Sequence, residues 1–303
     1  MAISFTAGQF AKSKSVALND GTITKATLTS TEASGSFDYG MKVVDSSLTP
    51  LIHLKMNDDL ATTAVIDSVG TYAGTASFNT DDNSVAGKMG TALNFPLSTD
   101  KIDLDSSKTF TGEFTFACWV NKATFGNHGI CGDQTSFNNG RFSIVNSTTV
   151  SIYVSDGIGG NNSQSVNLSS TMPTSEWFHL VFKRDSSDNL FVYLNGVDVT
   201  AASYTRSGDI NIGRIADNPT DSSWVSLTGY MDDFRMYESA LSQADIDLIY
   251  AEGDGKPFTD SYFEEVTSAT SHTFANSGTD LKWIAEENAA STGEINNIKI
   301  EYE

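Results

Sequence analysis

The chain has 303 residues, with 18 basic and 38 acidic side chains, a formal net charge of −20, 5 prolines and 2 cysteines. That length provides one large or two small domains with buried cores. The charge argues against nucleic acid as a partner, because so anionic a protein repels phosphate and no basic patch interrupts it; two cysteines do not make a disulfide framework.

Residues 1–20, opening MAISFTAGQFAKSK, contain no long apolar core, so no secretory signal is expected there. They show no strong period and read as an N-terminal arm or a marginal strand. No later segment approaches the ~20 apolar residues of a membrane helix, so membrane insertion is not expected. Residues 21–44 contain two strands joined by a turn (GTITKATLTSTEASGSFDYGMKVV). Further on come LIHLKMNDD (51–59), GKMGTALNF (87–95), KIDL (101–104) and FTGEFTFACWV (110–120). In the last of these Phe114, Phe116, Cys118 and Val120 share one face, as alternation with period two requires of a half-buried strand. RFSIV and SIYVSD continue the sheet. Cys118 and Cys131 are expected as unpaired buried thiols on neighbouring strands.

The stretch from Trp177 to Tyr237 is the most informative. WFHLVFKRD places Phe178, Leu180 and Phe182 on one face and His179, Val181 and Lys183 on the other. Asp185–Asn189 is a polar hairpin loop, and Asn195-Gly196 supplies the two positive-φ positions of a type I′ turn. NIGRIA and GYMDDFRMY complete an antiparallel meander. One helix follows: Ser242 and Asp245 form a capping box, Ile246, Ile249 and Tyr250 form its buried stripe, and Gly253 ends it. At the end of the chain, Leu281, Trp283 and Ala285 share a strand face, and Ile295, Ile298 and Ile300 close the sequence.

The run "WFHLVFKRD…LFVYLNG…NIG…DDFRMY…ALS", with the earlier GKMGTALNF and KIDL, resembles the laminin-G-like domains of the concanavalin A-like jelly rolls. The two chain ends, carrying ATLT, FEEVT, HTF and GTDLKW, resemble when spliced a small β-sandwich module of phage virion and tail proteins. These resemblances imply an all-β chain: a concanavalin A-like jelly-roll sandwich (47–257) inserted into a smaller discontinuous β-sandwich (21–46 and 258–303). A linker followed by a separate C-terminal domain is the other arrangement the sequence allows.

Hydrolysis is not expected. Glucanases of this fold need two carboxylates facing across a cleft, but Glu113 stands alone on its strand and the adjacent Glu264 and Glu265 point to opposite faces. The four histidines are scattered, with no serine or cysteine nucleophile motif near them. Calcium takes six to eight oxygens, and jelly rolls of this class often hold it at the rim. Asp58 and Asp59 end the first strand and Asp232 and Asp233 lie in the last, so these four are the candidate Ca2+ ligands, with Asp67 in the loop between. The alternative is a structural pairing of Asp232 or Asp233 with Arg214 or Arg235. Glycan recognition calls for an exposed aromatic beside polar side chains. Trp224, which follows the polar loop 217–223, and Tyr153, which precedes the loop 156–165, are with Asn161, Asn162 and Asp217 of those loops the candidate ligand residues, while Trp224 serves equally well as a cover for the core edge. Trp119 and Trp177 occupy positions that usually pack inside in such domains.

The resemblance therefore points to a non-enzymatic bacteriophage virion protein, in the capsid or tail. It would be made in the host cytoplasm, bind other virion proteins as a homo-oligomer or on a lattice, and display a domain for host-surface polysaccharide. A bacterial surface or secreted glycan-binding adhesion module is the alternative, and a glycoside hydrolase the remote one.

Overall fold

The computed structural model describes residues 3–5, 10–12, 16–17, 23–44, 48–136, 139–155, 163–217, 225–254, 264–278, 280–287 and 293–303. The chain is an all-β protein that divides into two compact units, Pro50–Gly253 and the pair of ends Met1–Thr49 with Asp254–Glu303. No described helix is long and apolar enough to cross a membrane.

The inner unit is built from two eight-stranded antiparallel sheets. The first runs Val197–Asp198, Leu190–Leu194, Trp177–Arg184, Phe114–Asn121, Gly229–Tyr237, Thr91–Phe95 and Ser84–Ala86, and Ile52–Leu54 pairs with the Gly229–Tyr237 strand. The second is centred on the strands Gly140–Asn146, His128–Gly132, Ile210–Ile215 and Ile102–Phe110. Phe114, Phe116, Cys118 and Val120, together with Phe178, Leu180 and Phe182, face inward as one core with Phe142, Ile152 and Ile212 of the other sheet. Alternation produces this: each second side chain leaves water, contributing about 1.5–3 kcal/mol when large and apolar.

The turns follow their chemistry. Asn195 and Gly196 have φ of 52° and 81°, the two left-handed positions of a type I′ turn. Asp185 Oδ1 accepts from the Ser187 and Asn189 amides and closes the preceding hairpin. The helix spans Gln243–Asp254, one residue past Gly253. Its capping box is reciprocal: the Asp245 amide donates to Ser242 Oγ at 3.2 Å, and the Ser242 amide donates to Asp245 Oδ2 at 3.1 Å.

Several expectations are corrected. The first strand is short, Ile52–Leu54, so Asp58 and Asp59 lie well beyond its end. Cys118 and Cys131 are free and buried, but they sit in opposite sheets rather than on neighbouring strands.

In the outer unit, Ile23–Ser34 pairs with Thr270–Gly278 and Gly293–Tyr302, and Phe37–Val44 pairs with Glu264–Val266 and Asp280–Glu287. Ile23, Leu28, Met41, Val43, Leu281, Ala285 and Ile295 form its core. Residues 1–20 are not a free arm throughout. Ile3–Phe5 pairs with the Gly293–Tyr302 strand, and Phe10–Lys12 and Val16–Ala17 pair with Asp280–Glu287.

Candidate functional site

Three of the four acids proposed from sequence as calcium ligands are put to other uses. Asp233 lies in a bulge at φ 52°, where the pairing of Gly229–Tyr237 with Phe114–Asn121 slips by one residue. Its carboxylate meets His53 Nε2 at 2.6 Å and the Arg235 guanidinium at 2.8 Å. Burial alone would raise this carboxyl, but the Arg235 charge and the His53 hydrogen bond outweigh it and hold it far below the usual carboxylate range. Asp232 points instead to the Gly87–Gly90 turn, where its Oδ2 accepts from the Met89 amide at 2.7 Å. Burial, reinforced by the charge of Asp233, pushes the Asp232 carboxyl up to about 6. Asp58 is buried and accepts from the Ile66 amide at 3.0 Å, whereas Asp59 is exposed. Asp67 takes the amides of His53, Val69, Thr71 and Tyr72 at 2.8–3.0 Å. Calcium needs several carboxylates free of internal donors and converging on one point. These residues do not fit it, and among the described residues no three His, Cys, Asp or Glu side chains gather as metal ligands.

The proposed sugar-binding rim fares unevenly. Tyr153 is 4% exposed, with the Arg141 guanidinium 5.1 Å from its ring centre, so its face is not open for stacking. Asp217 is half-buried, bound by Arg214 at 3.4 Å and by the Ser226 hydroxyl at 3.0 Å. Trp224, Asn161 and Asn162 lie outside the described residues. The adjacent glutamates diverge as expected: Glu264 meets His272 at 2.8 Å, while Glu265 is exposed.

The outer face of the first sheet carries a feature that sequence reasoning missed. After the Gly229–Tyr237 strand, the chain folds back across this face. Ser239 accepts from Thr115 Oγ1, Leu241 accepts from Lys183 Nζ, and the helix brings Tyr250 onto Trp119 and His179 with ring centres 5.5 and 5.8 Å apart. Trp119 and His179 are each 1% exposed beneath it. One register row further along, the same face is open. Trp177, Asn121, Tyr230 and Asn94 are paired in sequence across four adjacent strands. Their inward neighbours Phe178, Val120, Met231, Leu93 and Phe95 belong to the core, so all four side chains point outward. The Trp177 and Tyr230 rings lie 6.3 Å apart at an interplanar angle of 50°. Tyr230 is 37% exposed and the other three are half-buried. The expectation that Trp177 packs inside is thus overturned.

Two contacts fix this row. Lys122 is buried, and its ammonium donates to the carbonyls of Leu227 and Thr228, clamping the chain just ahead of Tyr230 to the end of the Asn121 strand; burial brings its pKa down to about 8. At Gly229 an added Cβ would lie 2.6 Å from the Asn121 carbonyl, a spacing only glycine allows.

The fold and this geometry define the inner unit as an all-β jelly roll with one face partly covered by its own C-terminal helix. Residues 97–247 match the laminin-G-type family model described as Concanavalin A-like lectin/glucanases superfamily, and the inner unit is a concanavalin A-like jelly roll of that kind. Among solved structures, the chain is similar to the receptor binding domain of botulinum neurotoxin C/D mosaic serotype, at 16% identity and a TM-score of 0.47, covering 67% of this chain and 51% of that one. It is similar also to domain 4 of AbnA, a GH43 extracellular arabinanase from Geobacillus stearothermophilus, in complex with arabinotriose, at 22% identity and a TM-score of 0.47, covering 69% of this chain and 100% of that one. A third is the botulinum neurotoxin serotype D ligand binding domain in complex with N-acetylneuraminic acid, at 16% identity and a TM-score of 0.43, covering 67% and 51%. The chain spans about half the length of these neurotoxin chains. No curated protein matches the sequence.

Proposed function

We propose that the inner unit is a non-catalytic glycan-binding domain, and that the chain is a bacteriophage virion protein, in capsid or tail, displaying it to surface polysaccharide. The observation that carries the binding half is the open row Trp177–Asn121–Tyr230–Asn94. Sugar rings present apolar C–H faces that pack on aromatic side chains, with hydroxyls at the edge for amides to bind. Strand-borne side chains hold that arrangement in advance, which reduces the ordering cost of binding. The non-catalytic half is supported by the fate of three buried carboxylates: Asp67, Asp133 and Asp233 are engaged by internal donors. The virion half is supported by the end-segment motifs: ATLT, EEV and DLKW fall in the paired strands Ile23–Ser34, Glu264–Val266 and Asp280–Glu287.

Weak single sites suffice in such a role, because many linked copies on a particle raise the effective concentration and avidity gains of ~10²–10⁴ follow. Multimerised protein on a glycan array is expected to give signal on bacterial surface polysaccharides without releasing reducing ends from them. Quantitative proteomics of purified virions is expected to find the chain in multiple copies. A silent array would contradict the binding reading, and presence only in cell envelopes would contradict the virion one.

A further inference from the structure

Resting on the glycan-binding reading, we infer that the ligand of the open row is a run of linked neutral hexopyranoses laid across the strands, not an anionic polysaccharide. Neighbouring strands lie about 4.8 Å apart, so the four residues form a line roughly 14 Å long, room for several linked sugars rather than one. Two aromatic rings 6.3 Å apart and inclined at 50° offer stacking surfaces to successive sugars of a twisted chain. The amides of Asn121 and Asn94 alternate with the rings, and each both donates and accepts. Hydroxyls do the same, whereas a carboxylate or sulfate only accepts and needs cations or clustered donors.

Among the described residues, no cation serves this row. Lys122, next to Asn121 in the chain, turns its ammonium inward to the Leu227 and Thr228 carbonyls. Lys88 holds its ammonium 4.8 Å from the Trp119 ring centre, over the covered part of the face. Glu176, beside Trp177, is exposed, and the chain carries a net charge of −20. An anionic glycan would meet no counter-charge in the row and long-range repulsion around it. Among the described residues, the side-chain amides of Asn94 and Asn121, the Trp177 indole N–H and the Tyr230 hydroxyl make no hydrogen bond within the protein. All are available to a ligand.

The test is calorimetric titration of the full-length chain with neutral β-1,4-glucan and mannan hexasaccharides. Uronate and sialylated oligosaccharides of matched length are titrated in parallel, at low and high salt. The expected result is binding of a neutral oligosaccharide that is insensitive to salt. Trp177→Ala and Tyr230→Ala should each weaken it about tenfold or more, with Trp177→Phe retaining most of it, and all variants should melt cooperatively. Tighter, salt-sensitive binding of an anionic oligosaccharide would overturn this inference while leaving glycan binding standing. Neutral binding undiminished in both alanine variants would overturn the assignment of the row. Failure of every oligosaccharide to bind would overturn the glycan-binding reading itself, and this inference with it.

Discussion

Tyr250 stacks on Trp119, ring centres 5.5 Å apart and planes 27° from parallel, and this contact marks where the covered part of the outer face meets the open part. Trp119 and Asn121 are two residues apart on one strand and face the same way, yet one is 1% exposed and the other half-buried. The helix Gln243–Asp254 accounts for the difference. Tyr250→Ala should therefore cost about 2 kcal/mol by opening a gap over Trp119 and His179. A lowered melting temperature and a changed Trp119 fluorescence environment would report it. An unchanged melting temperature would mean that the helix adds nothing to the sheet.

Asp232 makes stability depend on pH in a definite direction. Its folded-state value of about 6 lies above the ordinary range near 3.9, so the folded protein binds the proton more tightly than the unfolded chain. The contribution is fully present below about pH 4 and is lost as pH rises through 6. Asp232→Asn keeps an acceptor for the Met89 amide without the charge. Relative to the unsubstituted protein, this variant should gain on the order of 2 kcal/mol between pH 4 and pH 8. Thermal melts across that range would show a constant difference if Asp232 were not buried as described.

Asp67 has the opposite sign. Burial favours its neutral form, but four amides outweigh burial and lower its pKa, so its contribution is present above about pH 4 and lost as pH falls through the folded-state value. Asp67→Ala should cost about 3 kcal/mol at neutral pH, because the amides of His53, Val69, Thr71 and Tyr72 lose their acceptor. The penalty should shrink in acid. Denaturant midpoints at neutral and acid pH measure both effects.

The two units should differ in independence. Residues 50–253 hold both eight-stranded sheets and their whole core, and should unfold in one cooperative transition when expressed alone. Residues 254–303 alone lack the strands Ile23–Ser34 and Phe37–Val44 against which they pair, and should show no cooperative melt.

What was legible in the sequence was local. Period-two alternation in Phe114–Asn121 and Trp177–Arg184 assigned the inward faces, Asn195-Gly196 specified its turn, and Ser242 with Asp245 specified the helix start. Alternation does not say which outward faces remain open, since that depends on where the helix lies. Trp119 and Trp177 therefore looked alike, although one is sealed beneath Tyr250 and the other lies beside Tyr230. The bulge at Asp233 was equally hidden. A one-residue slip in pairing separates the two neighbouring aspartates, sending one to Arg235 and His53 and the other to the Gly87–Gly90 turn.

The most direct test is a two-dimensional nitrogen–proton NMR titration of the full chain with the neutral hexasaccharide that binds best. The account predicts shifts in the Trp177 indole and in the side-chain amides of Asn121 and Asn94, while the Trp119 indole, sealed under Tyr250, stays in place. Saturable shifts confined to other tryptophans, with the Trp177, Asn121 and Asn94 signals unmoved, would contradict it.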